Sequence, residues 1–271
     1  MRKLIHISDI HFGKADYGVA ERARAKINEL APDLLIVSGD LTQRARSAQF
    51  IEARRFLDSL PSPQIVVPGN HDIPMHNPFA RFITPLDKYK KYITEDLEPF
   101  FMDEELAVIG INTARSLTIK DGRINEEQVA AIRARMCTLD DKMLKAVVTH
   151  HPFDLPEGFD EDDIVDNAET AMPQIADCGA DVFFSGHLHV SHIAQTANRY
   201  KLPNGRNAII IQAGTATSTR VRGEKNSFNA VEFEYPHLTV KRFECDNAAD
   251  DFSEVQMQKY EQSEKGWSKI V

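Results

Sequence analysis

Five short apolar runs along this chain each stop on residues that bind protons or metals. Residues 4–8 lead into "SDIHFG", the run in "DLLIVSGD" continues as "SGDLT", and Ile65, Val66 and Val67 lead into "PGNHD". Two later runs end in "VTHHPF" and "SGHLHV". Runs this short and this rich in β-branched residues read as buried strands. Between the first three lie "GVAERARAKINEL" and "RSAQFIEARRFLDSL", whose apolar residues recur at helical spacing. The order β-α-β-α-β with short turns predicts a parallel sheet covered by helices, its strands' carboxyl ends on one edge. Ligands of open α/β sheets sit at that edge.

The rhythm breaks over residues 74–103, an irregular aromatic-rich insertion containing "NPFARFITPLDKYKKYITEDLEPFF". Short helices packed over one edge of the site are expected there. Beyond residue 190, "HIAQTANRY", "NAIIIQAGT", "NAVEFEY" and "LTVKRFE" alternate in polarity and predict antiparallel strands. Residues 1–245 thus form one α/β domain in four layers, two of strand and two of helix outside them. The polar, acidic segment 246–271 is expected to be a surface helix or an extended arm.

Charge narrows the partners. A net charge of -9 over 271 residues argues against a general electrostatic grip on nucleic acid or anionic membrane. Small phosphorylated substrates stay open, because a metal centre can supply positive charge locally. No apolar stretch approaches the length of a membrane span. The start "MRKLIHISDIHFG" leads almost directly into a strand and shows no signal peptide. Cys137, Cys178 and Cys245 are scattered, without a CxxC pair, and read as reduced, buried thiols of a cytoplasmic protein.

The strand ends nominate Asp9, His11, Asp40, Asn70, His150, His187 and His189. Taken singly, each has an ordinary reading: a turn former, a helix cap or a satisfied polar histidine. Five strand ends departing from apolar character together favour a joint role. Seven nitrogen and oxygen ligands exceed the needs of one divalent ion with an open position and suit two. Asp9 and His11 alternate along the chain, as do His187 and His189, so extended backbone would point each pair in one direction. A set without thiolate suits Mn²⁺, Fe or Zn²⁺. Asn112 and Arg115 in "GINTARS", and Arg220, Arg222 and Asn226 in "GTATSTRVRGEKNSFN", either contact substrate or brace loops.

In their order, D-x-H, G-D, G-N-H-D, H and G-H-x-H resemble the calcineurin-like metallophosphoesterases over residues 3–245. Within them, "GDLTQ", "GNHD" and "HHP" look most like the bacterial class III cyclic nucleotide phosphodiesterases. The resemblance implies a β-sandwich flanked by helices and a phosphoester hydrolase using water activated between two metal ions. It implies that Asp9, His11 and His189 hold one ion, that Asn70, His150 and His187 hold the other, and that Asp40 bridges. His150 is preferred to His151 as ligand because it stands two residues before the proline; His151 then orients it or contacts phosphate. His71 matches the histidine that protonates the leaving group. Gln43 stands where protein phosphatases place the aspartate backing that histidine, so any carboxylate support would come from Asp72, which is otherwise expected to fix the loop. The expected substrate is a cyclic nucleotide or another small phosphodiester. A phosphomonoester, a lipid-sugar pyrophosphate, or a binding module that keeps its metals are the alternatives, and any oligomer is expected to be a homodimer.

Overall fold

The computed structural model describes the whole chain except His76, Ile119, Lys120, Pro203, Val221, Arg222, residues 247–250 and Val271. The first apolar runs form parallel strands β1 (Arg2–Ile7), β2 (Leu34–Val37) and β3 (Gln64–Val66). Helices α1 (Tyr17–Leu30) and α2 (Ser47–Asp58) connect them. Asp16 starts α1 by accepting from the amides of Gly18 (2.9 Å) and Val19 (3.1 Å), which satisfies donors that a helix start leaves open. Along β2, Leu35 and Val37 pack under the helices, while Leu34 and Ile36 face a second sheet. That alternation is the strand's period of two.

The insertion supplies α3 (Pro78–Ile83), α4 (Asp87–Tyr92) and β4 (Phe100–Met102). The second sheet is built from β4, β5 (Leu106–Gly110), β6 (Leu144–Val148), β7 (Val182–Ser185), β8 (His192–Gln195) and β9 (Ile209–Gln212), in the order β4-β5-β6-β7-β9-β8. Helices α5 (Glu126–Met136) and α6 (Ala168–Ala176) cover its outer face through Ile132, Met172 and Ile175. Val67, Val108, Val148, Phe184, Ile211 and Val231 fill the space between the sheets. The layering is helix, sheet, sheet, helix.

Several expectations need correction. β9 runs antiparallel to β8 but parallel to β7. β10 (Ser227–Glu234) and β11 (His237–Asp246) return to the first sheet on the free side of β1. The segment expected as a surface helix or arm forms β12 (Asp251–Ser263) and β13 (Gly266–Lys269), which complete that sheet. Its polarity misleads because β12 is an outer strand, buried mainly at Phe252, Gln258 and Tyr260. The insertion docks on α2, where Tyr89 and Tyr92 meet Phe50 and the Tyr89 hydroxyl donates to the Val66 carbonyl at 2.9 Å. Cys137 and Cys178, read as separate reduced thiols, are joined in a disulfide. Residues 41 apart meet because α5 and α6 lie side by side, a relation their spacing does not carry.

Candidate metal centre

The five loaded loops come from both sheets: those after β1, β2 and β3 from one, those after β6 and β7 from the other. The sheets stack with these strand ends level, so the loops meet across the sandwich instead of along a single sheet. The β1 and β2 loops are laced by main-chain bonds, with Asp9 donating to Gly39 (3.1 Å) and His11 to Asp40 (2.9 Å).

All seven nominated residues come together. His11 Nε2 lies 3.3 Å from His189 Nε2 and 3.5 Å from Asp9 Oδ1, and His189 Nε2 is 3.4 Å from that same oxygen. Asp40 reaches both halves, with Oδ2 3.5 Å from His11 Nε2 and Oδ1 3.4 Å from His150 Nε2. Asn70 Oδ1 lies 3.1 Å from His150 Nε2 and 3.2 Å from His187 Nδ1. His150, His151 and His187 offer nitrogens within 4.8 Å of one another, as Asp9, His11 and His189 offer ligand atoms.

The arrangement fits a cation better than it fits itself. Asp9 Oδ2 accepts the His187 amide at 3.0 Å, but Oδ1 is buried with no hydrogen-bond partner. An unpaired carboxylate oxygen in the interior is costly unless something positive meets it. The outward ring nitrogens are set from behind. His150 Nδ1 donates to the Ser38 carbonyl (2.7 Å), and His189 Nδ1 pairs with the Thr215 hydroxyl (2.6 Å). Such partners fix the ring and leave the other nitrogen as a lone-pair donor. Burial pushes His187 down to about 3 and His189 down to about 4. Both rings are therefore neutral at physiological pH. His150 goes the other way: against its burial, the Asp40 carboxylate raises it to about 9, so a cation taking its Nε2 would displace a proton. Burial alone would raise Asp9 and Asp40, but the surrounding imidazoles hold both well below the usual carboxylate range.

Asp9, His11 and His187, His189 do not lie on extended backbone as the alternation suggested. With Asp40, they occupy the left-handed region at φ 53, 52, 75, 61 and 54 degrees. Non-glycine residues adopt it at a cost, and such residues gather at functional sites. The turns aim each pair inward more sharply than a strand could. Gly186 gives room for this, since a Cβ there would stand 2.7 Å from Asp9 Oδ2.

His71 belongs to a short turn with Asn70 and Asp72. Its Nδ1 donates to the Gln43 carbonyl at 3.0 Å, and its Nε2 accepts from Arg220 Nη1 at 2.9 Å. Asp72 holds the loop, accepting from the amides of Gly69 (3.0 Å), Leu41 (3.2 Å) and Thr42 (2.9 Å). Burial, and then the charge of Asp40, pushes it up to about 6. A cavity of about 770 Å³ opens over Asp40, Asn70, His71, His187 and His189.

Of the expected substrate contacts, Arg220 lines this cavity, whereas Asn112 and Arg115 do not. Arg115 pairs with Asp166, and the Asn112 side chain accepts the Ala114 amide at 3.0 Å. Asn112 braces its own loop, and Arg115 ties that loop to the segment before α6. Asn226 braces the loop of Arg220 by donating to the Thr215 and Ser218 carbonyls. Arg222 lies outside the described residues. Sequence reasoning passed over Lys14, Arg44 and Arg46, which line the cavity from the loops that carry Asp9 and Asp40. Their signal was available: cations a few positions past loaded strand ends.

Fold and cluster together define a metal-binding sandwich protein of the helix, sheet, sheet, helix type. The chain belongs to the calcineurin-like phosphoesterase family, whose model matches residues 2–191. It is 28% identical over 160 residues to the glycerophosphodiester phosphodiesterase GpdQ of Enterobacter lignolyticus, covering 55% of this chain and 56% of that protein. The match thus spans little more than half of that relative. Over 200 residues it is 26% identical to a probable cyclic nucleotide phosphodiesterase of Rhodopseudomonas palustris, covering 69% of this chain and 71% of that one. The fold resembles that of a dimetal phosphatase from Danio rerio, with a TM-score of 0.68 at 13% identity over 97% of this chain and 99% of that one. Among the described residues no helix is long and apolar enough to cross a membrane.

Proposed function

We propose that this protein hydrolyses small phosphodiesters, cyclic nucleotides and glycerophosphodiesters being the first to test, on a pair of divalent metal ions. The buried, unpartnered Asp9 Oδ1 facing two imidazole nitrogens carries the reading. Asp9, His11 and His189 would hold one ion, Asn70, His150 and His187 the other, with Asp40 between. His151, its Nδ1 2.8 Å from the Thr113 hydroxyl, would support His187, whose ring centroid is 4.7 Å away. Mn²⁺, Fe and Zn²⁺ suit these donors. Bound there, such ions supply Lewis acidity toward the phosphoryl group and make water nucleophilic near neutral pH.

The chain's own part is orientation and proton delivery. With Nδ1 anchored on the Gln43 carbonyl, His71 presents Nε2 to the cavity. Burial holds its pKa below the usual histidine value, so Nε2 must first take up a proton, once Arg220 has turned to substrate, before it can give that proton to a departing oxygen. Arg220 holds that nitrogen and is placed to transfer its hydrogen bonds to a phosphoryl oxygen when substrate enters. Relatives that are phosphodiesterases by name support diesters over monoesters.

The test combines elemental analysis with a panel of bis-p-nitrophenyl phosphate, p-nitrophenyl phosphate, cyclic AMP and glycerophosphoethanolamine. About two ions per chain and faster turnover of diesters are expected. A consistent preference for the monoester would make the protein a phosphatase. Two bound ions with no turnover of any ester would make it a binding protein.

A further inference from the structure

We infer that Lys14, Arg44 and Arg46 form a second anion subsite, which selects phosphoesters carrying a further phosphate group besides the one cleaved. The inference rests on the phosphodiesterase reading for what happens at the metal edge, and adds the substrate class. Lys14 comes from the β1–α1 loop and Arg44 and Arg46 from the β2–α2 loop, and all three line the cavity that exposes Asp40, His71 and His187.

The charge pattern sets this rim apart. The chain has 41 acidic residues against 32 basic ones. Several arginines elsewhere find acids, as Arg24 does with Glu21, Arg54 with Asp58 and Arg199 with Asp154 and Glu161, while Arg81, Arg133 and Arg135 are satisfied by main-chain carbonyls. Among the described residues, no ion pair engages Lys14, Arg44, Arg46 or Arg220. Cations gathered without carboxylate partners, in an acidic protein, repel one another until an anion joins them.

The rim is also built rather than loose. Gln49 Oε1 accepts the main-chain amides of Arg44 (3.0 Å) and Arg46 (3.4 Å). The Gln49 amide fills the space beside Gly13, where φ is 99 degrees and a Cβ would collide with it. Thr219 donates to the Lys14 carbonyl at 2.9 Å, tying this loop to the one bearing Arg220. Arg44 Nη1 rests 3.4 Å from Met75 Sδ, beyond the His71 turn. Asp160 and Asp163 line the cavity from the loop after β6, which belongs to the other sheet. An elongated substrate with a second phosphate therefore has one favourable direction across the cavity, with that phosphate toward Lys14.

Two commercial esters isolate the subsite: thymidine 5'-(p-nitrophenyl phosphate), and the same compound with a 3'-phosphate. They share the scissile bond and leaving group. In the metal-loaded native protein the 3'-phosphate should raise kcat/KM at least about tenfold, a gain that shrinks at high salt. In Lys14→Gln/Arg44→Gln/Arg46→Gln the ratio between the two esters should fall to about one. A ratio within one preparation cancels any loss of folded protein. No gain in the native protein, or a gain that survives the triple substitution, overturns the inference. Should neither ester be cleaved, the hydrolytic reading falls, and calorimetry decides the subsite separately. Tighter binding of thymidine 3',5'-bisphosphate than of thymidine 5'-phosphate, lost in the triple variant, would uphold it; equal affinities would refute it.

Discussion

At one edge of the sandwich Asp9 and Asp40 lie buried among imidazoles, while at the opposite edge Asp181 lies buried among neutral donors. Asp181 accepts from the Trp267 indole (2.8 Å), the Gln262 amide (3.0 Å) and the Lys145 main chain (2.9 Å). Burial pushes its pKa up to about 6, because these hydrogen bonds and the weaker pull of the Arg206 and Lys145 charges offset only part of the lost hydration. At the metal edge the same residue type is held low by histidines, keeps an unpartnered oxygen, and sits on strained backbone. One edge is satisfied and joins β13 to the second sheet. The other leaves a need that an ion would meet. Stability and function thus occupy opposite ends of the same strands.

Four experiments would sharpen or break this contrast. Asp40→Ala should remove most of both ions and cut activity by well over the hundredfold that even an outer-shell ligand partner is worth. Full metal occupancy in that variant, by elemental analysis, would refute the bridging position.

Trp267→Ala should lower unfolding free energy by about 3–5 kcal/mol, since it removes a fully buried indole. Metal content per folded chain should not change. A parallel loss of metal at low denaturant would show that the two edges are coupled.

Asp181 gives the pH test. Its unfolded value is 3.8 and its folded value about 6, so the folded chain binds the extra proton between them. Its contribution to stability is therefore fullest below about pH 4 and is lost as pH rises through about 6, by roughly 3 kcal/mol. Subtracting the urea stability of Asp181→Asn from that of the native chain across this window should reveal the fall. A flat difference would mean that Asp181 titrates alike in the folded and unfolded chain, and a rise with pH would mean that it is held low as the metal-edge acids are.

The smallest effect separates His71 from the ligands. His71→Ala should keep both ions and lose about a hundredfold on an alkyl diester, but little on a nitrophenyl ester whose leaving group needs no proton. Equal losses on both would move the proton donor elsewhere.

The sequence by itself determined the strands that lead into the site, the helices between the first three of them and the identity of the clustered residues. Period-two and helical patterns are local, and a buried run that ends in "GNHD" announces its chemistry within a few residues. Even the loop-fixing expectation for Asp72 was legible, since an Asp after a tight turn has amides nearby to accept. Tertiary structure decided what depends on distant partners. Only packing revealed that the cluster spans two sheets and that β12 and β13 close the first sheet behind β11. Packing also showed that Asn112 and Arg115 brace a loop while Arg44 and Arg46 face the cavity. A side chain's type records what it can bind, but its direction is fixed by backbone turns such as the left-handed residues Asp9, His11 and Asp40. Those conformations are unfavourable locally and persist only because the surrounding loops and buried contacts hold them.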